Sequence, residues 1–133
     1  MRSVFLAALV AALVVSLAGC SALPAAPPPV TAAALVGSEW KETCVDDASG
    51  QRAAQAWVQL REGGVMAYSF DTPDGDWIED GTDAWSLAGT TLTVSWTDGF
   101  AVSTYDLTGA RPDGRVPGTT SLGCEGGTFL TRI

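Results

Sequence analysis

Carboxylates are the side chains in this sequence that could most readily do chemistry. Among the 133 residues, 15 are Asp or Glu and 7 are Lys or Arg, so the formal net charge is −8. Six carboxylates fall between Asp71 and Asp83. Two close pairs, Asp74 with Asp76 and Glu79 with Asp80, have the residue types that glycoside hydrolysis uses. Consecutive acids in a polar segment usually face water, however, so this pattern does not favour catalysis.

The sequence contains no histidine, which is the commonest general base and metal ligand. Catalysis by Ser-His-Asp or Cys-His groups and sites built on His-bound zinc or haem are therefore excluded. Lys41 is the only lysine, and no glycine-rich phosphate loop leads into a helical pattern. We expect a protein that is not an enzyme, with no catalytic residues and no cofactor.

The acidic run allows three interpretations. It could be a solvated loop that aids solubility, or a calcium loop, although Ile78 and Leu87 occupy positions where an EF-hand loop needs oxygen ligands. It could also dock on a basic protein partner, because Trp77 supplies an apolar anchor among the charges. The residues of this docking hypothesis are Asp74, Asp76, Trp77, Glu79 and Asp80. No metal site is predicted.

The acidic balance also bears on nucleic acid. Affinity for DNA or RNA comes largely from Lys and Arg side chains that neutralise phosphates. With 7 basic residues against 15 acidic ones, the chain is not expected to bind nucleic acid.

The N-terminal residues 1–19 have the pattern of an export signal. Arg2 precedes an apolar run from Val4 to Leu17, which is too short to span a bilayer. The sequence Leu17-Ala18-Gly19-Cys20 resembles the lipobox of bacterial lipoproteins. The resemblance implies acylation of the Cys20 thiol, cleavage before it, and an extracytoplasmic protein anchored to the lipid bilayer of the cell membrane. An ordinary secretory signal followed by an unmodified cysteine is the alternative.

Residues 20–34 predict a tether. This segment contains Pro24, Pro27, Pro28 and Pro29, no charge, and otherwise small side chains. Such a composition favours extended polyproline II structure and cannot form a core.

Residues 35–133 show the pattern of an all-β domain. Apolar residues alternate with polar ones, most clearly from Thr91 to Thr97, and tight-turn signals such as Asp98-Gly99 separate the runs. The predicted strands lie near 36–45, 55–61, 65–71, 83–87, 91–97, 99–107, 115–121 and 127–133. Eight short strands joined mainly by hairpins predict an antiparallel up-and-down barrel, because closure removes unpaired edges.

The two remaining cysteines support closure. In an oxidising compartment, Cys44 at the end of the first strand and Cys124 before the last are expected to form a disulfide. If the two strands run antiparallel with these cysteines opposite each other, Thr128 lies beside Trp40 and Val36 beside Arg132.

Three segments carry a resemblance to a known family. These are Leu35-Val36-Gly37-Ser38-Glu39-Trp40, the hairpin from Val58 to Gly64, and Gly127-Thr128-Phe129-Leu130-Thr131-Arg132. They resemble the small bacterial lipocalin-like domains, which implies an eight-stranded barrel, often with an internal cavity. In that family an arginine of the last strand packs over the tryptophan of an opening Gly-x-Trp motif. In this sequence the opening motif is Gly37-x-x-Trp40. In addition, a register with Cys44 opposite Cys124 would separate Arg132 from Trp40.

Large aromatic side chains are the candidate ligand-binding residues. They could fill the core of a small barrel, or several could line a cup for a small hydrophobic or amphipathic ligand. The residues proposed for the cup are Trp40, Trp57, Tyr68, Trp85, Trp96 and Tyr105. The sequence thus predicts a non-catalytic binding module, with a protein-docking or inhibitor module and a structural envelope protein as alternatives.

Overall fold

The computed structural model describes residues 25–26, 28–46, 49–50 and 52–133. The export signal predicted for residues 1–19 and the acylation predicted for Cys20 lie outside the described residues. Among the described residues, no helix has both the length and the apolar character that crossing a membrane requires.

Eight strands and two short helical turns make up the described domain. One turn of α-helix, α1 (Ala32–Leu35), precedes the strands, and a 3₁₀ turn at Glu62–Gly64 connects the second strand to the third. The strands are β1 (Glu39–Val45), β2 (Arg52–Leu60), β3 (Met66–Ser69), β4 (Ala84–Ala88), β5 (Thr91–Trp96), β6 (Ala101–Asp106), β7 (Arg115–Thr120) and β8 (Gly127–Arg132).

The strands form one antiparallel sheet that curls into a nearly closed up-and-down barrel. Their order in the sheet is β3-β2-β1-β8-β7-β6-β5-β4, so the first and last strands of the chain pair with each other. Two isolated bridges lie between the edge strands β3 and β4: Val65, just before β3, pairs with Ala84 of β4, and Tyr68 of β3 pairs with Ile78 in the connection between the two strands. These bridges occupy backbone groups that an open edge would leave unpaired. The all-β class, the eight strands and the up-and-down barrel predicted from the sequence are confirmed.

The last residues of the predicted tether are helical instead of extended. Residues 32–34, expected to be extended, belong to α1, whose first turn is capped by the Thr31 side chain. Leu35 is buried in the core, and Val30 packs against it. Burial of these two apolar residues favours the helical turn over a solvated extended chain.

The core fills the end of the barrel that α1 covers, here called the closed end. Inward positions alternate along the strands, as Leu92 and Val94 show on β5, and they meet Trp40 and Leu130 from the paired strands β1 and β8. The largest side chains that are fully buried in the described part of the chain are Tyr105, Leu60, Met66, Leu92, Leu130, Val58 and Val94.

The register between β1 and β8 corrects the expected one. Trp40 pairs with Arg132 and Cys44 with Thr128, a shift of four residues from the simple alignment of the two cysteines. The shift arises because the chain turns just before β8, where Gly127 N–H donates to the Cys124 carbonyl and Gly126 N–H to the Val45 carbonyl. The turn brings Cys124 to Cys44, with 5.5 Å between Cα atoms, without placing it opposite Cys44 in the strand ladder.

The corrected register brings Arg132 onto Trp40 after all. The Arg132 guanidinium lies 5.6 Å from the centre of the Trp40 ring, within the range of a cation–π contact. The contact between Arg132 and Trp40, which the simple alignment of the cysteines excluded, is therefore present.

Candidate functional site

The end of the barrel opposite α1, here called the open end, contains a cavity of about 240 Å³. Its wall comes from six strands and three of the connections between them, and it includes the Cys44–Cys124 disulfide and Trp96. The apolar part of the lining is Ala54, Ala56, Phe70, Phe100, Ala101 and Leu122. The polar part is Glu42, Gln55, Ser103, Thr120 and Thr128. The cavity is thus a mainly apolar cup with few polar groups, which is the usual make-up of a small-molecule site.

Three large apolar side chains at the cavity are exposed. Phe70 is 63% exposed, Phe100 77% and Leu122 57%. Each lies in or next to a connection that joins two strands at the open end. An apolar group of this kind at the mouth of a concavity indicates a surface for a ligand or a partner.

The turn that carries Phe100 is tied to the neighbouring connection. Thr97, Asp98 and Gly99 have positive φ values of 49°, 54° and 88°. Thr97 N–H donates to the Asp83 carboxylate and Asp98 N–H to the Thr82 carbonyl, each at 2.8 Å. These bonds fix two residues in a backbone conformation that side chains rarely adopt, and so hold the turn that presents Phe100.

A buried carboxylate forms part of the cavity floor. Glu42 occupies the inward phase of β1 between Trp40 and Cys44, and it is 9% exposed. The Tyr105 hydroxyl donates a hydrogen bond to its Oε1, and Trp96 Nε1–H donates to its Oε2 at 2.8 Å. A buried carboxylate is stable only when its oxygens are hydrogen-bonded, and here both oxygens have a neutral donor.

Tyr105 is held as a proton donor by its surroundings. Burial of the phenol is the main cause that raises the pKa of Tyr105 far above its ordinary value, and the nearby Glu42 charge raises it further. The hydroxyl also lies 3.0 Å from the Thr128 Oγ1. The Tyr105 phenol therefore stays protonated at and around neutral pH, and its hydroxyl donates a hydrogen bond to Glu42.

A glycine makes room for the Tyr105 ring. Gly118 on β7 faces Tyr105 in the strand register. A Cβ atom at this position would lie 2.4 Å from the Tyr105 Cδ1 atom and 2.4 Å from the Thr104 carbonyl oxygen. Only glycine lets the ring lie flat against β7 and extend its hydroxyl to Glu42.

The six aromatic residues proposed for the cup are divided by the structure. Trp96 lines the cavity, and Tyr68 packs on it with ring centres 5.7 Å apart. Tyr105 lies beneath the floor. Trp40 and Trp85 belong to the core of the closed end, where their indole N–H groups donate to Ser38 and to the Arg61 carbonyl. Trp57 is half-buried and pairs with Lys41 across the β1–β2 ladder.

The acidic run lies in the connection between β3 and β4 and is partly engaged within the chain. Glu79 forms an ion pair with Arg61, and Asp80 accepts hydrogen bonds from Thr82, which lower the pKa of Asp80. Trp77 is half-buried, whereas Asp74 and Asp76 are exposed. In the described part of the chain, no three potential metal ligands are grouped so as to hold an ion. The docking hypothesis stays a prediction.

Sequence reasoning missed Glu42 and the three exposed residues of the rim. For Glu42 the sequence did contain an indication: alternation along β1 places this charged residue on the same side of the strand as Trp40 and Cys44. The rim residues gave no such signal, because Phe100 and Leu122 lie in turns whose orientation depends on the assembled barrel.

Comparison with protein-family models, curated proteins and solved structures found no match for this chain. The barrel architecture itself is consistent with a lipocalin-like fold.

Proposed function

We propose that this protein is a non-catalytic binding module that captures a small hydrophobic or amphipathic molecule in the cavity at the open end. The observation that carries the proposal is the apolar cup of about 240 Å³ with exposed Phe70, Phe100 and Leu122 at its mouth. A ligand seated there would cover apolar surface that otherwise faces water, which contributes roughly 25 cal/mol for each Å² removed from solvent.

The size of the cavity sets the size of the ligand. The cavity of about 240 Å³ has room for a small molecule. We therefore expect a small ligand, or the end of a longer molecule that projects through the open mouth.

Binding is tested with a set of such molecules, including toluene, indole, 1-hexanol and 2-phenylethanol. Because Trp96 lines the cavity, a bound molecule should change tryptophan fluorescence with saturation. Ala54→Phe places a bulky ring at an exposed position of the cavity lining and should weaken this response strongly. Ala84→Phe adds the same ring at an exposed position on β4, away from the cavity lining, and should leave it unchanged.

Two results would contradict the proposal. One is the absence of any saturable change over the whole set. The other is an equal loss of response in the two variants, which would place the binding outside the cavity.

We further propose, from the lipobox-like sequence, that this module acts at the extracytoplasmic face of a bacterial membrane, anchored through acylated Cys20. Mass spectrometry of the mature N-terminus tests this location. A diacylglyceryl group on Cys20 is expected, and an unmodified N-terminus would contradict it.

A further inference from the structure

We propose that the ligand of the cavity is a small organic cation, an alkyl or arylalkyl amine whose ammonium group binds the Glu42 carboxylate. This inference rests on the proposed function and names the chemical class of its ligand. The apolar part of the amine would occupy the cup, with the charged nitrogen directed to the floor.

The first support is that Glu42, a buried carboxylate, has no cationic partner among the described side chains. Glu42 is 9% exposed, and its carboxylate accepts hydrogen bonds from two neutral groups, the Tyr105 phenol and the Trp96 indole. Among the described side chains, no Lys or Arg forms an ion pair with it. A buried charge without a counter-ion is costly, and a cationic ligand supplies the missing charge.

The carboxylate also has acceptor capacity left. Two carboxylate oxygens provide about four lone-pair sites, of which the Tyr105 and Trp96 donors use two. Glu42 is part of the cavity lining, so a donor that enters the cavity can reach it. An ammonium group, with three donors and a full positive charge, fits this position better than a hydroxyl.

The second support is the distribution of charge around the mouth. Four connections join the strands at the open end, and their described residues are 46, 49–50, 70–83, 97–100 and 121–126. These residues include nine carboxylates and no Lys or Arg; of the nine, Glu79 is paired with Arg61 and Asp83 is buried. Arg52 follows the first connection as the first residue of β2. An excess of negative charge at the mouth attracts cations and repels anionic amphiphiles.

The third support is the aromatic lining. Phe70, Trp96 and Phe100 present rings to the cavity. Aromatic faces attract ammonium groups as well as apolar rings, so the lining accepts both parts of an arylalkyl amine.

The test compares three molecules of nearly equal size and different charge: 2-phenylethylamine, 2-phenylethanol and phenylacetate. Calorimetry at pH 7 and low salt should give an affinity for the amine at least about tenfold above that for the alcohol, the gain expected of a charge-assisted hydrogen bond. Phenylacetate should bind more weakly than the alcohol. Added salt should weaken amine binding more than alcohol binding.

A pair of variants identifies the carboxylate. Glu42→Gln should abolish the preference for the amine, so that the amine and the alcohol bind this variant with similar affinity. Glu39→Gln removes the same charge from a half-buried position on the same strand, away from the cavity lining, and should leave amine binding unchanged.

The outcomes separate this inference from the proposed function. If the alcohol binds in the cavity as tightly as the amine, or phenylacetate binds tightest, the cation inference is wrong while the binding function stands. If none of the three molecules binds, both are wrong. The comparison in the unaltered protein decides these cases even if Glu42→Gln does not fold.

Discussion

The Tyr105 hydroxyl donates a hydrogen bond to the Glu42 carboxylate across the barrel interior, although 63 positions separate the two residues in the chain. This bond links β6 to β1 and lies between the packed closed end and the cavity. One polar pair thus marks the boundary between the part of the barrel that stabilises the fold and the part proposed to bind a ligand.

Removing the Tyr105 hydroxyl should destabilise the protein. Tyr105→Phe leaves the ring in place but takes one donor from Glu42 and one partner from Thr128. We expect a loss of about 1 to 3 kcal/mol in the free energy of unfolding, because a buried charged acceptor loses a hydrogen bond. Urea denaturation measures it. Thr119→Val, which disrupts the exposed hydroxyl pair with Thr104, serves as the control and should cost less than about 0.5 kcal/mol.

The same phenol should make the protein sensitive to alkali. The folded-state pKa of Tyr105 is raised above the unfolded value of 10.0, so the folded protein keeps its proton when the unfolded chain loses it. Stability should therefore be unaffected by this group below pH 10 and fall as the pH rises above it. Urea denaturation between pH 8 and about pH 11 measures the decline, which should be smaller in Tyr105→Phe. An equal decline in both proteins would show that other groups cause it.

The sequence was sufficient for the strands and the barrel because the alternation in segments such as Thr91–Trp96 records which side of a strand faces the core. It was not sufficient for the register of β8. The position of Cys124 relative to Cys44 depends on the turn at Cys124–Gly127, and the turn geometry is decided by backbone hydrogen bonds to β1 that exist only in the assembled sheet.

For the candidate site, too, the sequence predicted some features, and others depended on the assembled barrel. Trp96 was predicted as a binding residue and lies in the cavity wall, whereas Trp40 and Trp85, which are chemically equivalent in sequence, lie in the core. Residue type gives no information about height along the barrel axis. That height follows from strand length and from which end α1 covers, so the separation of cup from core could only be seen in the folded chain.

Gly118→Ala on β7 should lower the free energy of unfolding clearly. The added Cβ would meet the Tyr105 ring and the Thr104 carbonyl at 2.4 Å, and neither can move without loss of the bond to Glu42 or of the strand ladder. We expect a destabilisation of about 1 to 3 kcal/mol, as for other overpacked interiors. Thermal unfolding measures this effect. Thr119→Ala, at the exposed neighbouring residue of β7, is the matched control, and equal effects in the two variants would contradict the steric argument.

Loss of the disulfide should affect both stability and binding. Cys44 and Cys124 are 80 residues apart in the chain, and a cross-link of this length contributes about 4 to 5 kcal/mol by restricting the unfolded state. Cys44→Ser with Cys124→Ser should therefore lower the denaturation midpoint markedly. Because both residues line the cavity, ligand affinity should fall in the variant even at temperatures where circular dichroism shows a folded barrel. Unchanged affinity in the folded variant would show that this wall is not needed for binding.

Arg132→Ala should weaken the closed end and leave the cavity intact. The guanidinium covers the Trp40 ring at 5.6 Å, and Trp40 donates its indole N–H to Ser38 next to α1. Loss of the cation–π contact and of the covering methylene groups should cost about 1 kcal/mol, and the newly exposed ring should shift tryptophan emission to longer wavelength. Lys41→Ala removes the same charge beside Trp40 and should produce neither change. Since Arg132 lies at the closed end, opposite the cup, ligand affinity should stay the same in both variants. A fall in affinity with Arg132→Ala would mean that packing at the closed end controls the shape of the open end.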